Sequence, residues 1–364
     1  MRTWLRCLMR PFKKSKGGQT MNWKKLTGLG LVLALVVFSA VGCGGKDTAK
    51  QADQNGAVKK LVLAHSATPD NSLAMAYDKF AELVKAKSNG KLIIEVHGGG
   101  SLAGDQTAVE GVKMGTIDIG SSASNNMAPF TNAFLFADLP YIFDSIESSH
   151  KVWWGPIGEE LKQKVEKDIN AKVLFYLDTG GGFRVITNNK KEVKTPADLK
   201  GLKLRATASP IEVALLKAWG ANPTPIPWPE VYTALEQKVV EGEHLHPVWI
   251  YQAKHYEALK YMTVVDAMSN VHVALMSKKA WDSLTPDEQK IIMDAGKETQ
   301  EFCAKVDAEK GQEALKKLQE AGLKLYKPTS EEAKQWKDAG VAIWPQFYDK
   351  VPKDFIDRVI AAQK

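Results

Sequence analysis

Between residues 60 and 97 the chain reads as strand, helix, strand, and that order admits few architectures. Lys60-Leu-Val-Leu-Ala-His65 is a short apolar run that stops in a polar turn, Ser66-Ala-Thr-Pro-Asp-Asn-Ser72. Leu73, Ala76, Phe80, Leu83 and Val84 then recur at helical spacing until Asn89-Gly90. Lys91-Leu-Ile-Ile-Glu-Val-His97 is the second strand. Strands joined through a helix pair in parallel with the helix on one face, so an α/β fold is expected. The 364 residues suffice for two domains with cores of their own.

The alternation continues. Residues 106–114 read as a helix, and Gly115-Thr-Ile-Asp-Ile-Gly120 as a strand with its turn. Residues 149–167 read as one helix and Lys172-Val-Leu-Phe-Tyr-Leu177 as a strand. Asp178-Thr-Gly-Gly-Gly182 is expected to carry the chain out of a first domain, and Phe183-Arg-Val-Ile-Thr187 to open a second. Thr195 before Pro196 is a helix-cap signal, and Ser209-Pro210 opens a helix that Gly220 ends. Val239-Val-Glu241 is read as a strand start and His272-Val-Ala-Leu-Met-Ser277 as a strand. Residues 279–321 are long and helical, with a new start at Leu284-Thr-Pro286, and residues 331–362 are mostly helix.

Charge distribution narrows the partners. Of 49 basic residues, eight fall in residues 1–42 without any acid, which leaves 41 basic against 42 acidic residues beyond. No basic surface for nucleic acid is implied. Residues 1–42 read instead as a signal peptide: Trp23-Lys-Lys, an apolar stretch over 29–41, and small residues before Cys43. Residues 1–20 add nothing to such a signal, which makes Met21 a candidate start. Cleavage would leave a lipidated Cys43 on a flexible tether reaching residue 59, anchored at a bacterial membrane's outer face. Cys303 would then remain as a lone thiol, read as a small buried hydrophobe.

The stretch 183–247 carries the candidate chemistry. Arg205 ends the apolar strand Gly201-Leu-Lys-Leu-Arg205, a Pro-rich loop presents Trp228, and a later strand ends in Glu241-Gly-Glu-His-Leu-His-Pro247. A cation with an aromatic wall at the lip of an α/β sheet suits a small organic acid. Ser121-Ser-Ala-Ser-Asn-Asn126 follows another strand, where ligands sit in open α/β sheets, and can add neutral hydrogen bonds. Gly98, Gly100 and Ala103 formally fit a dinucleotide fingerprint, but they follow the second strand rather than the first, and no cofactor is expected. His244 and His246 share one strand face and form a weak candidate metal pair; two ligands are too few for a structural zinc site. No nucleophile elbow, H-E-x-x-H or Walker A loop is present, so no enzyme is expected.

Taken together, Ser101-Leu-Ala-Gly104, Gly115-Thr-Ile-Asp118, Asp138-Leu-Pro-Tyr-Ile-Phe143, Gly182-Phe-Arg184, Pro196-Ala-Asp-Leu-Lys-Gly-Leu-Lys-Leu-Arg205, Gly220-Ala-Asn-Pro-Thr-Pro225 and Glu230-Val-Tyr-Thr-Ala-Leu235 resemble the DctP-like solute-binding proteins of tripartite ATP-independent periplasmic (TRAP) transporters, in lipoprotein form. The resemblance implies a two-domain periplasmic-binding-protein-like fold with an interdomain ligand cleft and a long connecting helix. It suggests domain I over 60–182 plus about 270–309, and domain II over 183–269 plus about 310–364. Hinge closure would bury a carboxylate for delivery to a TRAP membrane permease. Arg205 matches the family arginine that pairs with that carboxylate. Arg184 matches a second arginine, as a ligand contact or as support behind one. Trp228 matches the aromatic wall and Ser66 a polar contact. Where many relatives read Asp-Gly-Gln-Glu-Asn-Pro, this chain is one residue longer, and either Leu245 or His246 stands at the Asn position. Ala123 or Ser124 replaces the Glu of sialic-acid binders, which argues against that ligand. The alternative is a metal-binding or metal-assisted solute-binding lipoprotein.

Overall fold

The computed structural model describes residues 58–364. The signal segment, the Met21 start and Cys43 lie outside the described residues. Strand β1 (Lys59–Ala64), helix α1 (Ser72–Lys87), β2 (Leu92–His97), α2 (Asp105–Met114) and β3 (Ile119–Ala123) come first, followed by α3 (Ile146–Trp153), α4 (Pro156–Ile169) and β4 (Ala171–Asp178). The chain then forms β5 (Val185–Asn188), β6 (Lys203–Ala206), α5 (Pro210–Ala218), β7 (Asn222–Pro225), α6 (Val231–Glu236), β8 (Gly242–Leu245), α7 (Pro247–Gln252) and β9 (Tyr261–Val264). It returns through β10 (Val271–Ser277), α8 (Lys278–Asp282), α9 (Pro286–Glu320), β11 (Lys324–Tyr326), α10 (Ser330–Val341) and α11 (Lys353–Ala362).

Two mixed sheets result. The first has the order β2-β1-β3-β10-β4 and the second β11-β9-β5-β8-β6-β7. In the first, β1 pairs in parallel with β2 and β3, as the opening strand–helix–strand pattern requires, while β10 returns antiparallel between β3 and β4. In the second, β6 runs parallel to β7 and β8. On the outer strand β7, the N–H of Asn222 and that of Ile226 just beyond bond inward to Leu202 and Ala206. Pro223, Pro225 and Pro227 take the alternate, outward positions, where a residue without an N–H loses no ladder bond.

Each helix follows from local signals. Asn71 caps α1 by accepting from the Leu73 N–H, and Leu73, Ala76, Tyr77, Phe80 and Val84 form its buried stripe. Thr285 and Glu288 close a capping box on α9, with Pro286 in its first turn. Helix α9 has 35 residues, about 52 Å at the α-helical rise. It packs on α1 and β4 of the first half and on α7 of the second. Cys303, on α9, is fully buried.

Some expected boundaries shift for identifiable reasons. The single helix expected over 149–167 is two, because Pro156 cannot continue an existing turn and instead starts α4. The helix expected after Thr195 is one 3₁₀ turn, Pro196–Leu199, with the Asp198 carboxylate accepting from the Thr195 N–H and hydroxyl. Ser121 and Ser122 belong to β3 itself rather than to the loop after it. Val239 is exposed and β8 begins only at Gly242, since Lys238, at φ 59, turns the chain out of α6.

The crossover between the sheets is tight. Gly181 has φ +78, and a Cβ placed there would stand 2.2 Å from the Gly311 Cα on α9. The Gly181 N–H donates to Asp307, also on α9, at 2.8 Å. Gly181→Ala is expected to lose about 2–4 kcal/mol, read as a drop in the urea midpoint. Gly182, at φ +120 with open space around it, is the control that reports backbone strain alone. The end of the chain then crosses back onto the first half. Phe355 meets Phe136 edge-on at 5.3 Å, Arg358 pairs with Glu160, and the Gln363 amide donates to the Ile142 carbonyl.

Candidate functional site

A small cavity of about 30 Å³ lies between the two halves, at the carboxyl ends of parallel strands from both sheets. The first half supplies Ser66 after β1, Asp105 at the start of α2, Ala123 at the end of β3, and Asn125 and Asn126 on the following turn. The second supplies Arg205 on β6, Thr207, Trp228 beyond β7, Leu245 on β8, His246 and Trp249. Arg184, Asn270 and His272 come from the crossing segments and β10.

Arg205 is 2 % exposed and donates from Nε to the Ile226 carbonyl at 3.1 Å. Its two terminal nitrogens find no protein partner among the described residues. Burial lowers its pKa, with Glu212 and Glu243 pulling the other way, and a guanidinium remains charged under such conditions. Arg184 is committed. Its Nη1 is 2.6 Å from Glu212 Oε1, and Nη2 donates to Asn270 Oδ1 at 2.8 Å. Burial opposes the Glu212 charge, but Arg184, His244 and Arg205 hold its carboxyl well below the usual range. Glu212 also accepts from the Thr207 N–H at 2.9 Å. Thr207 in turn accepts from Asn125 Nδ2 at 3.0 Å, a bond that links the two halves across the cavity.

Asp105 is held by three donors: Ser66 Oγ at 2.7 Å, the Ala123 N–H at 3.0 Å and Asn126 Nδ2 at 2.8 Å. Trp228 packs edge-on against Trp249, with centroids 4.9 Å apart, and leans on His255. Trp249 stacks on His272. Burial, reinforced by Arg184, lowers the His246 imidazole to about 3, and burial lowers His272 as well, so both are neutral at neutral pH.

Of the residues singled out from sequence, Arg205, Arg184, Trp228, Ser66, Leu245 and His246 all line the cavity. Ser124 does not: it is buried behind the wall, with Ala123, Asn125 and Asn126 facing the space instead. His244 also sits behind the wall, 3.1 Å from Glu212, while His246 bonds the Gly182 carbonyl and Asn270, so the two imidazoles are tied to different partners. No group of three or more His, Cys, Asp or Glu residues with a metal-holding arrangement occurs among the described residues. Asp105, Asn125, Asn126, Thr207, Trp249, Asn270 and His272 were not singled out individually. Asn125 and Asn126 stand in the polar run 121–126, and Asp105 directly follows a glycine-rich strand exit. Asn270 and His272 reach the site only because the chain returns to the first sheet.

Beneath Arg184 and Glu212 lies Asp138, fully buried, with neither carboxyl oxygen bonded among the described residues. Burial pushes its carboxyl from 3.8 up to about 7, against the pull of the Arg184 charge. A carboxyl raised on folding destabilises the folded chain progressively as pH rises from its unfolded to its folded value. Asp138→Asn is therefore expected to match the natural chain near pH 4 and to be more stable at pH 8 by on the order of 2 kcal/mol, measured by urea unfolding at both pH values.

A cavity walled by both halves of a two-sheet α/β molecule is the arrangement expected of a solute-binding protein. The family of bacterial extracellular solute-binding proteins, family 7 (DctP), matches residues 63–351. The chain belongs to that family, whose members are transport proteins and not enzymes. It is 32% identical over 299 residues to the 2,3-diketo-L-gulonate-binding periplasmic protein YiaO of Escherichia coli, covering 82% of this chain and 89% of that protein. It is 27% identical over 338 residues to the C4-dicarboxylate-binding protein DctB of Bacillus subtilis, covering 92% and 96%. The crystal structure of a TRAP periplasmic solute-binding protein from Sulfurospirillum deleyianum with bound succinate superposes with a TM-score of 0.80 at 30% identity, over 84% of this chain and all of that one. The sugar-acid-binding protein of Advenella mimigardefordensis, in complex with galactonate, gives 0.80 at 29%, over 84% and 98%.

Proposed function

We propose that the chain captures a small organic acid outside the cytoplasm, closes its two halves over it, and hands it to a TRAP permease. One observation carries the ligand class: Arg205 is a buried guanidinium in the cavity wall whose terminal nitrogens have no partner among the described residues. Its planar fork matches a carboxylate two bonds at a time. Trp228 walls the ligand, Ser66, Leu245 and His246 complete its surround, and Arg184 holds the wall in place rather than the ligand. YiaO, DctB and the succinate and galactonate complexes are all carboxylate binders by name, which supports the same class.

The moving parts are residues 60–182 with about 270–309, and 183–269 with about 310–364, the last helix reaching back as a strap onto the first part. Residues 1–42 act as the export signal and Cys43 as the lipid anchor. A thermal-shift screen of the full-length chain against carboxylates, neutral sugars, amino acids and divalent metals tests the reading. Carboxylates are expected to raise the midpoint with concentration. A response confined to neutral sugars or to metals would overturn it.

A further inference from the structure

The cavity contains one uncommitted cation, and its uncommitted acceptors lie on another wall. Three charged side chains line it: Arg184, Arg205 and Asp105. Arg184 is spent on Glu212 and Asn270. No lysine lines the cavity, and its two histidines carry no charge at neutral pH. Arg205 therefore stands alone as a counterion. Behind it on β8 lies Glu243, its register partner, fully buried with one carboxylate oxygen unbonded among the described residues.

The wall contributed by the first half has the opposite character. Asp105 holds three donors, and a carboxylate offers about four lone-pair sites, so capacity for a further donor remains. Asn125 is 1 % exposed; its Nδ2 is spent on Thr207 and its Oδ1 has no partner among the described residues. Acceptors without donors call for a ligand that donates. A hydroxyl does so, whereas an ionised carboxylate is an acceptor only. A second carboxylate here would lie beside Asp105 with no free cation to pair it, an uncompensated buried charge.

We propose, on the basis of the carboxylate-capture reading above, that the ligand is a polyhydroxylated monocarboxylate. Its carboxylate takes the Arg205 fork, its hydroxyls donate to Asp105 and Asn125, and the site discriminates against a second carboxylate at that far end. Asp105 and Asn125 thus set specificity by charge and by donor–acceptor sense, while Arg205 supplies the grip common to all carboxylates.

Matched pairs of six-carbon acids test this directly. Gluconate, galactonate, mannonate and gulonate each differ from their aldarate only in a terminal hydroxymethyl group replaced by a carboxylate. Calorimetric titration of the full-length chain with these pairs, and with succinate and malate, reads the discrimination. The tightest ligand is expected to be a monoacid, at least tenfold tighter than its own aldarate and than either four-carbon diacid. Asp105→Asn is expected to narrow that ratio. If an aldarate or succinate binds as tightly as the best monoacid, and that binding is lost in Arg205→Ala, the inference fails while carboxylate capture stands. If none of these acids binds while another carboxylate raises the thermal midpoint, the inference fails and carboxylate capture stands; if no carboxylate binds, both fail.

Discussion

Replacing Arg205 by alanine removes most of the affinity for any carboxylate ligand and leaves the fold in place. The two halves of this expectation rest on different observations. Affinity falls because Arg205 is the one charged donor lining the cavity whose terminal nitrogens have no partner among the described residues, so the ligand loses its only counterion there. Truncating one partner of a buried hydrogen-bonded charge pair costs on the order of 2–5 kcal/mol, roughly thirtyfold to several thousandfold in Kd. The fold survives because, among the described residues, Arg205 makes no ion pair and a single hydrogen bond, to Ile226. Its removal relieves the chain of a desolvated charge. Calorimetry for binding and urea unfolding for stability separate the two effects. Arg205→Lys keeps the charge without the fork and is expected to fall between the natural chain and the alanine variant. Unchanged affinity in Arg205→Ala would take this residue out of the site.

Glu212→Ala is expected to do the reverse, with its main cost in stability. Glu212 is fully buried and binds Arg184, His244 and Thr207 at once. Its loss strands the Arg184 cation in the interior, a change that typically costs about 3–5 kcal/mol. Replacing both members by apolar residues, Arg184→Met with Glu212→Leu, should recover much of that, because no lone charge is left behind. The pair also predicts an acid limb. The folded-state carboxyl of Glu212 is held below its ordinary value of 4.5, so its contribution is complete above that pH and is lost as pH falls through the depressed value. A urea series from pH 7 downward should show this limb in the natural chain and not in the double variant.

The fold was legible wherever the signal was local. The opening apolar run, the spaced apolar residues of α1 and the capped start of α9 each fix an element within a few residues of itself. The places where expectation slipped are those where a local signal has two outcomes. A Thr-Pro start can open a long helix or close as a single turn, as it does at 196–199. A run of small hydroxyl residues can be a loop or a buried edge of strand, as Ser121 and Ser122 are. The site divides in the same way. Arg205 and Trp228 announce themselves, being a cation at a strand end and an aromatic among prolines. Asn270 and His272 carry no such mark; they reach the cavity because β10 inserts between β3 and β4, nearly 150 residues beyond the one and nearly a hundred beyond the other. Sequence alone also could not say that Arg184 is already paired while Arg205 is not, since that depends on where Glu212 points.

The proline-studded outer strand β7 bears on how the protein behaves in a crowd. An edge strand with outward N–H groups is a template on which another chain can lay a strand of its own. At positions 223 and 225 on the outward face of β7, and at 227 just beyond it, the backbone has no hydrogen to offer, and the proline rings stand where an incoming backbone would have to sit. Copies of this chain at high local concentration therefore cannot polymerise by extending the second sheet from that side.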